Sequence, residues 1–183
     1  MNRKATPLLL AATLLLGIAA WWSHRSHPDG PGRSPSRAGL LLPIHPQDLI
    51  QVRLRRDFWN TFTLARGADT AWELIEPARE PADAAAVEVL LQTLTSLPVI
   101  RRIDLPGDDT EHYRQYGLWE PRLTVQVLTG HRQEVLQFGD ETSDGTGVYC
   151  IREGVDGVFI TSAAAFSALE TEPDKFRSAT PPG

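Results

Sequence analysis

Residues 71–98 read AWELIEPAREPADAAAVEVLLQTLTSLP, and their hydrophobic period changes once along the way. From Ala71 to Glu76 polar and apolar residues alternate, sending Trp72 and Leu74 to one face, as in a strand with one buried side. Further on, Val87, Leu90, Leu91, Leu94 and Leu97 return every three or four residues and draw a single apolar stripe on a helix. Asp83 stands where its carboxylate can cap the first free amides, and Pro98 stops the run. A half-buried strand running into an amphipathic helix predicts an α+β domain.

The same alternation extends upstream. Asp48 to Arg55 places Ile50, Val52 and Leu54 inward and Gln51, Arg53 and Arg55 outward. Thr61 to Arg66 repeats it, and Gly67-Ala68-Asp69 turns the chain back. Turns this short join antiparallel neighbours, so a three-strand meander is expected. Downstream, Val99 to Asp104 reads as a further strand. A polar patch (Gly107, Asp108, Asp109) then leads to a short helix with Tyr113 and Tyr116, ended by Gly117. Leu123, Val125 and Val127 alternate with Thr124 and Gln126. Gly130-His131 suits a two-residue turn with Gly at positive φ, and Glu134 to Phe138 returns. Val148 to Arg152 and Val158 to Thr161 flank a turn read at Gly154-Val155-Asp156-Gly157, and a last short helix carries Phe166 and Leu169 before Pro173. The expected architecture is an antiparallel meander, one long amphipathic helix, a second antiparallel strand group and a short C-terminal helix, preceded by one transmembrane helix.

That first helix rests on residues 1–22. Arg3 and Lys4 precede an uncharged apolar run from Pro7 to Trp22. A cleaved signal would use Gly17-Ile18-Ala19 as its exit. An uncleaved anchor needs roughly 17–25 apolar residues, which Ala5 to Trp22 just supplies. Trp21 and Trp22 at the exit suit the headgroup level and favour the anchor, with Arg3 and Lys4 on the cytoplasmic side. No Cys follows the run to accept a lipid. Residues 23–38 are rich in Pro, Gly and Ser and read as a tether on the order of 25 Å in reach. Residues 39–178 form the single α+β domain, and residues 179–183 are expected to be a disordered tail.

Composition excludes more than it identifies. The chain has 183 residues and a net charge of −5, which argues against a dedicated nucleic-acid binder. The charge is uneven: residues 1–46 hold five basic groups against one acid, and the remainder 13 against 22. One Cys forbids an internal disulfide framework, and no P-loop or dinucleotide glycine pattern is present, so no cofactor is expected. Asp140-Glu141-Thr142-Ser143-Asp144-Gly145 imitates the start of a calcium loop, but Ile151 stands where the closing bidentate Glu belongs, and a solvated turn is the better reading. Cys150 lies in a strand and reads as a buried, inert thiol. His112 and His131 fall one per element and read as surface histidines; His24 and His27 in the tether lack a third ligand.

Trp72-Glu73-Leu74 with Pro77, Pro81-Ala82-Asp83, Val87 with Leu90-Leu91, Arg101-Arg102, Tyr116-Gly117-Leu118 with Pro121, Phe138-Gly139-Asp140 with Gly145 and Tyr149, and Asp174-Lys175-Phe176-Arg177 follow one another in the order seen in the family called domain of unknown function 4340. The resemblance spans about residues 47–178. Members of that family are typically bacterial, held by one N-terminal span and often encoded beside gliding-type or related ABC transport genes. The resemblance implies an extracytoplasmic accessory or interaction module of an envelope ABC-type transport system, single-pass in the inner membrane with its C-terminal domain periplasmic. It implies no catalytic residues. The expected partners are the membrane, through the N-terminal helix, and a transporter or other envelope complex. Tyr113, Tyr116, Trp119 and Asp140 are the interaction candidates; a small-solute or glycan module is the alternative, and a hydrolase built on His112 or His131 the third.

Overall fold

The computed structural model describes residues 39–56, 60–105 and 110–178; the side chains of Thr110 and His112 are excepted. The anchor, the tether and the tail expected at 1–22, 23–38 and 179–183 lie outside the described residues. So do Asp108 and Asp109. Among the described residues no helix is long and apolar enough to cross a membrane.

Nine strands form one antiparallel sheet: β1 (Leu49–Arg55), β2 (Thr61–Arg66), β3 (Trp72–Glu76), β4 (Glu80–Pro81), β5 (Arg101–Ile103), β6 (Leu123–Thr129), β7 (Gln133–Glu141), β8 (Gly147–Arg152) and β9 (Val155–Ser162), in the order β4-β3-β2-β1-β6-β7-β8-β9-β5. The meander expected from the sequence is present as β1–β2–β3. The two strand groups, however, are not separate. β1 pairs with β6 along its length, Val52 opposite Val127 and Leu54 opposite Val125, so the backbone donors that two sheets would leave on open edges are paired instead.

The helix α1 (Ala84–Thr95) begins on Asp83, whose Oδ1 accepts from the Ala86 amide at 2.8 Å. It buries Val87, Leu90, Leu91 and Leu94. By connectivity α1 joins the two edge strands, β4 and β5. One continuous core holds α1 with Val52, Leu64, Leu136, Phe138, Val148 and Phe159. The shorter helices are α2 (Thr110–Gln115) and α3 (Ala163–Ser167), the latter capped by Ser162.

Three local expectations fail for identifiable reasons. Ile50 does not point inward: it is 39% exposed, while Leu49 is buried. A β-bulge between Leu49 and Gln51 adds one residue against β6 and turns Leu49 to the core in place of Ile50. Gly130 does not take positive φ. The Thr129 side chain closes that turn, its Oγ1 accepting from the amides of His131 and Arg132 at 3.3 and 3.2 Å. The last hairpin turns at Glu153-Gly154, with Arg152 opposite Val155; Gly154 has φ +76° and Gly157, already inside β9, has φ +93°.

Candidate functional site

α2 ends on Gly117, whose φ of +68° is free of steric cost only without a side chain. The Leu118 amide reaches back to the Tyr113 carbonyl at 2.9 Å and the Gly117 amide to the Arg114 carbonyl at 3.0 Å. These two bonds are the paired closure of a Schellman motif. The turn is locked onto β7: the Asp140 amide donates to the Tyr116 carbonyl at 2.9 Å. Gly139 has no Cβ to hold the two backbones apart. Tyr116 also lies against Tyr149 of β8, ring centroids 4.6 Å apart.

Past this locked turn the chain presents Trp119, 56% exposed, with the Arg114 guanidinium 4.8 Å from its ring centroid. Arg114, Gly117, Trp119 and Glu120 line an open concavity of about 430 Å³. The four candidates read from the sequence are thus neighbours in space with different positions. Tyr113 and Tyr116 are half-buried supports, and Trp119 and Asp140 are exposed. Arg114, Glu120 and the Tyr149 platform were not anticipated. The signal for the contact was an isolated Gly within a strand, Gly139, which marks close backbone approach.

The remaining chemistries resolve into structural roles. In the acidic loop the Asp144 carboxylate accepts from Thr142 Oγ1 at 2.6 Å and from the Thr146 amide at 3.1 Å. Those bonds, the Thr142 hydroxyl first, hold its pKa down at about 2. The loop closes on its own carboxylate, and among the described residues no three His, Cys, Asp or Glu are grouped to hold a metal ion. Glu141 and Glu170 share Arg122, at 3.2 and 3.4 Å. Ser162 spends its hydroxyl on the Ala165 amide. Cys150 is fully buried, and desolvation pushes its thiol up to about 12.

One family matches the chain, described as a domain of unknown function (4340), over residues 72–181. The chain belongs to the domain of unknown function 4340 family. No curated protein and no solved structure matches it. Both sides of the locked turn, Tyr116-Gly117-Leu118 and Phe138-Gly139-Asp140, fall inside the segment that defines it as a member of the domain of unknown function 4340 family. β1 and β2 precede that segment, yet β1 joins the two halves of the sheet.

Proposed function

We propose that the protein is a membrane-tethered, extracytoplasmic, non-catalytic recognition module, and that the Trp119 turn is its contact face toward an envelope transport complex. The carrying observation is one of direction. The first described residues join the domain at one end of the long strands: the Leu41 amide bonds to the Leu97 carbonyl, and the Leu41 carbonyl lies 3.5 Å from Arg152 Nη1, beside Glu134 of β7. Exposed Trp119 follows the α2 turn, which is bonded to Asp140 near the other end of β7. Glu134 and Asp140 are six residues apart on β7, about 20 Å. Entry of the described chain at one end and an exposed aromatic toward the other is the layout expected of a presented head. Trp and Arg, which stack here, are also two of the residue types most enriched in contact hot spots. The apolar run at Ala5–Trp22 supplies the anchor in this reading, with its basic flank cytoplasmic, and tethering supplies effective concentration without a tight intrinsic interface.

The test is photo-crosslinking in native bacterial membranes, with the reactive group placed at Trp119 or, as control, at Val89 on the outer face of α1. The reading expects links from position 119 to a membrane transport subunit and none from position 89. Links only to other copies of this chain, or equal yields from both positions, overturn it. The concavity beside Trp119 favours one second reading, a small-solute or glycan site. In that case a soluble oligosaccharide quenches the fluorescence that Trp119→Phe removes, and competes with no protein.

A further inference from the structure

At the end of the sheet that holds Thr129 and Arg132 lies a second concavity, open and about 550 Å³ in volume. Ile44, His45, Asp48, Thr129, His131 and Arg132 are among its lining residues. What distinguishes it is the chain of charge beneath Arg132. Glu134 stands opposite Val127 and Arg152 opposite Leu136, so both point to the helix-covered face of the sheet. The Glu134 side chain is only 8% exposed. It accepts a forked pair of bonds from Arg152, at 2.9 and 3.1 Å. Its Oε1 also lies 2.9 Å from Arg132 Nε. A carboxylate so nearly removed from water is costly, and two cations are spent to hold it there. On the outer side Arg132 pairs with Glu134 through an ion contact at Nε, keeps a side chain 54% exposed and lines the concavity.

We propose that this concavity binds a phosphate group, taken by the Arg132 guanidinium and by an N–H donor of His131. A planar guanidinium meets two phosphate oxygens at once, and an imidazole ring keeps at least one N–H donor in either protonation state. The lining offers one carboxylate, Asp48, against these groups. The same chemistry fits inorganic phosphate and the headgroup phosphate of a lipid. Four residues separate residues 43–48 from the segment read as the tether, so a headgroup is within reach if the proposed anchor holds. Binding of free phosphate does not depend on that reading.

The experiment titrates inorganic phosphate into the full-length chain in a phosphate-free maltoside detergent, and then in phosphatidylglycerol nanodiscs, following the histidine side-chain and Arg132 NMR signals. The expected result in detergent is saturable movement of the His131 and Arg132 signals at millimolar phosphate. Arg132→Gln weakens it by about tenfold. Asp48→Asn, which removes the opposing charge, strengthens it roughly twofold, a gain that misfolding cannot produce. In nanodiscs, signals already shifted and unmoved by added phosphate identify the lipid headgroup as the source; signals that still titrate identify the free anion. No saturable movement in detergent, or equal affinity in the wild type and both variants, overturns the proposal. Neither result bears on crosslinking at Trp119, so the two readings fail separately.

Discussion

Gly139 lies directly beneath the carbonyl oxygen of Tyr116, with its own Cβ position occupied by that backbone. The next nearest atoms, the Gly117 carbonyl carbon and oxygen at 2.9 and 3.1 Å from that position, are backbone too. No rotamer change can make room. Gly139→Ala must therefore push the α2 turn off β7, breaking the Asp140–Tyr116 bond and the Tyr116–Tyr149 contact together. The expected cost is about 2–3 kcal/mol, at the upper end for overpacking because the obstacle is main chain. Chemical denaturation measures the loss, and a matched change in Trp119 fluorescence shows that the contact face moved with it. A cost within a few tenths of a kcal/mol would mean that the turn is not locked.

Gly117 invites a different substitution. It combines φ +68° with an Asp140 carboxyl carbon 2.5 Å from where a Cβ would stand. Gly117→Ala should cost about 1–2 kcal/mol from the backbone conformation alone, plus the displacement of Asp140. The second part is separable: the Asp140 side chain is exposed and can be removed. In the background of Asp140→Ala, the cost of Gly117→Ala should fall to the backbone part, and a double-mutant cycle reads the difference as coupling.

The buried pair of Glu134 and Arg152 makes an asymmetric prediction. Glu134→Gln leaves Arg152, 17% exposed, without its forked acceptor and should cost about 3 kcal/mol or more. Replacing both, Glu134→Leu with Arg152→Met, removes the stranded charge along with the pair. That double variant should lie within about 1 kcal/mol of the wild type. Thermal or urea unfolding of the three proteins checks it, and equal losses in the single and double variants would contradict it.

How much of this was legible in the sequence depended on whether a residue's role was local. The α1 stripe from Val87 to Leu97 and its Asp83 cap follow from spacing and one side chain, and the structure has both. The single sheet does not follow in that way. It needs β1 beside β6, a pairing across about 70 residues of chain that no short-range pattern specifies. The Ile50 reversal was hidden for a related reason: in isolation Ile50-Gln51-Val52 alternates, and only the bulge against β6 moves Leu49 inward. Glu134 looked like an ordinary polar residue at a strand start because its partner, Arg152, sits on the next strand. Of the contact face, the residue types Tyr, Trp and Asp were readable, while the neighbour Arg114 was not, since stacking over Trp119 depends on how the Gly117 turn folds back.

The acidic loop predicts a pH window. The Asp144 pKa is held at about 2, against an ordinary 3.8, mainly by the Thr142 hydroxyl and then by Thr146. A depressed folded value means that the ionised form is favoured by folding. Its contribution is present above the unfolded value and is lost as pH falls from near 4 toward 2. The Asp144 side-chain carbon signal should therefore titrate near 2, and Thr142→Val, which deletes the first donor, should move that midpoint up toward 3.8. Because the carboxylate is exposed, the effect is confined to the loop. Calcium at millimolar concentration should leave its signals unchanged, because Ile151 stands where the closing bidentate Glu of a calcium loop belongs.

Cys150 tests the integrity of the whole core. Its side chain sits between Phe138 and Phe159 in strand register, and its Sγ donates to the Phe159 carbonyl at 3.5 Å. Burial raises its pKa from 9.0 to about 12, so the thiolate that reacts with alkylating reagents is almost absent from the folded protein at neutral pH. The sign of the linkage is the reverse of Asp144: the contribution to stability is full below pH 9 and declines as pH rises toward 12. Labelling at pH 8 should accordingly proceed no faster than opening of the sheet, and should slow in step with any stabilisation of the core. In Gly139→Ala, where the α2 turn is lost but the helix-covered face of β7 and β8 is intact, the expected acceleration follows only the measured drop in global stability. Labelling faster than that would place a local opening at β8, and a rate independent of stability would mean that Cys150 reaches solvent in the native state.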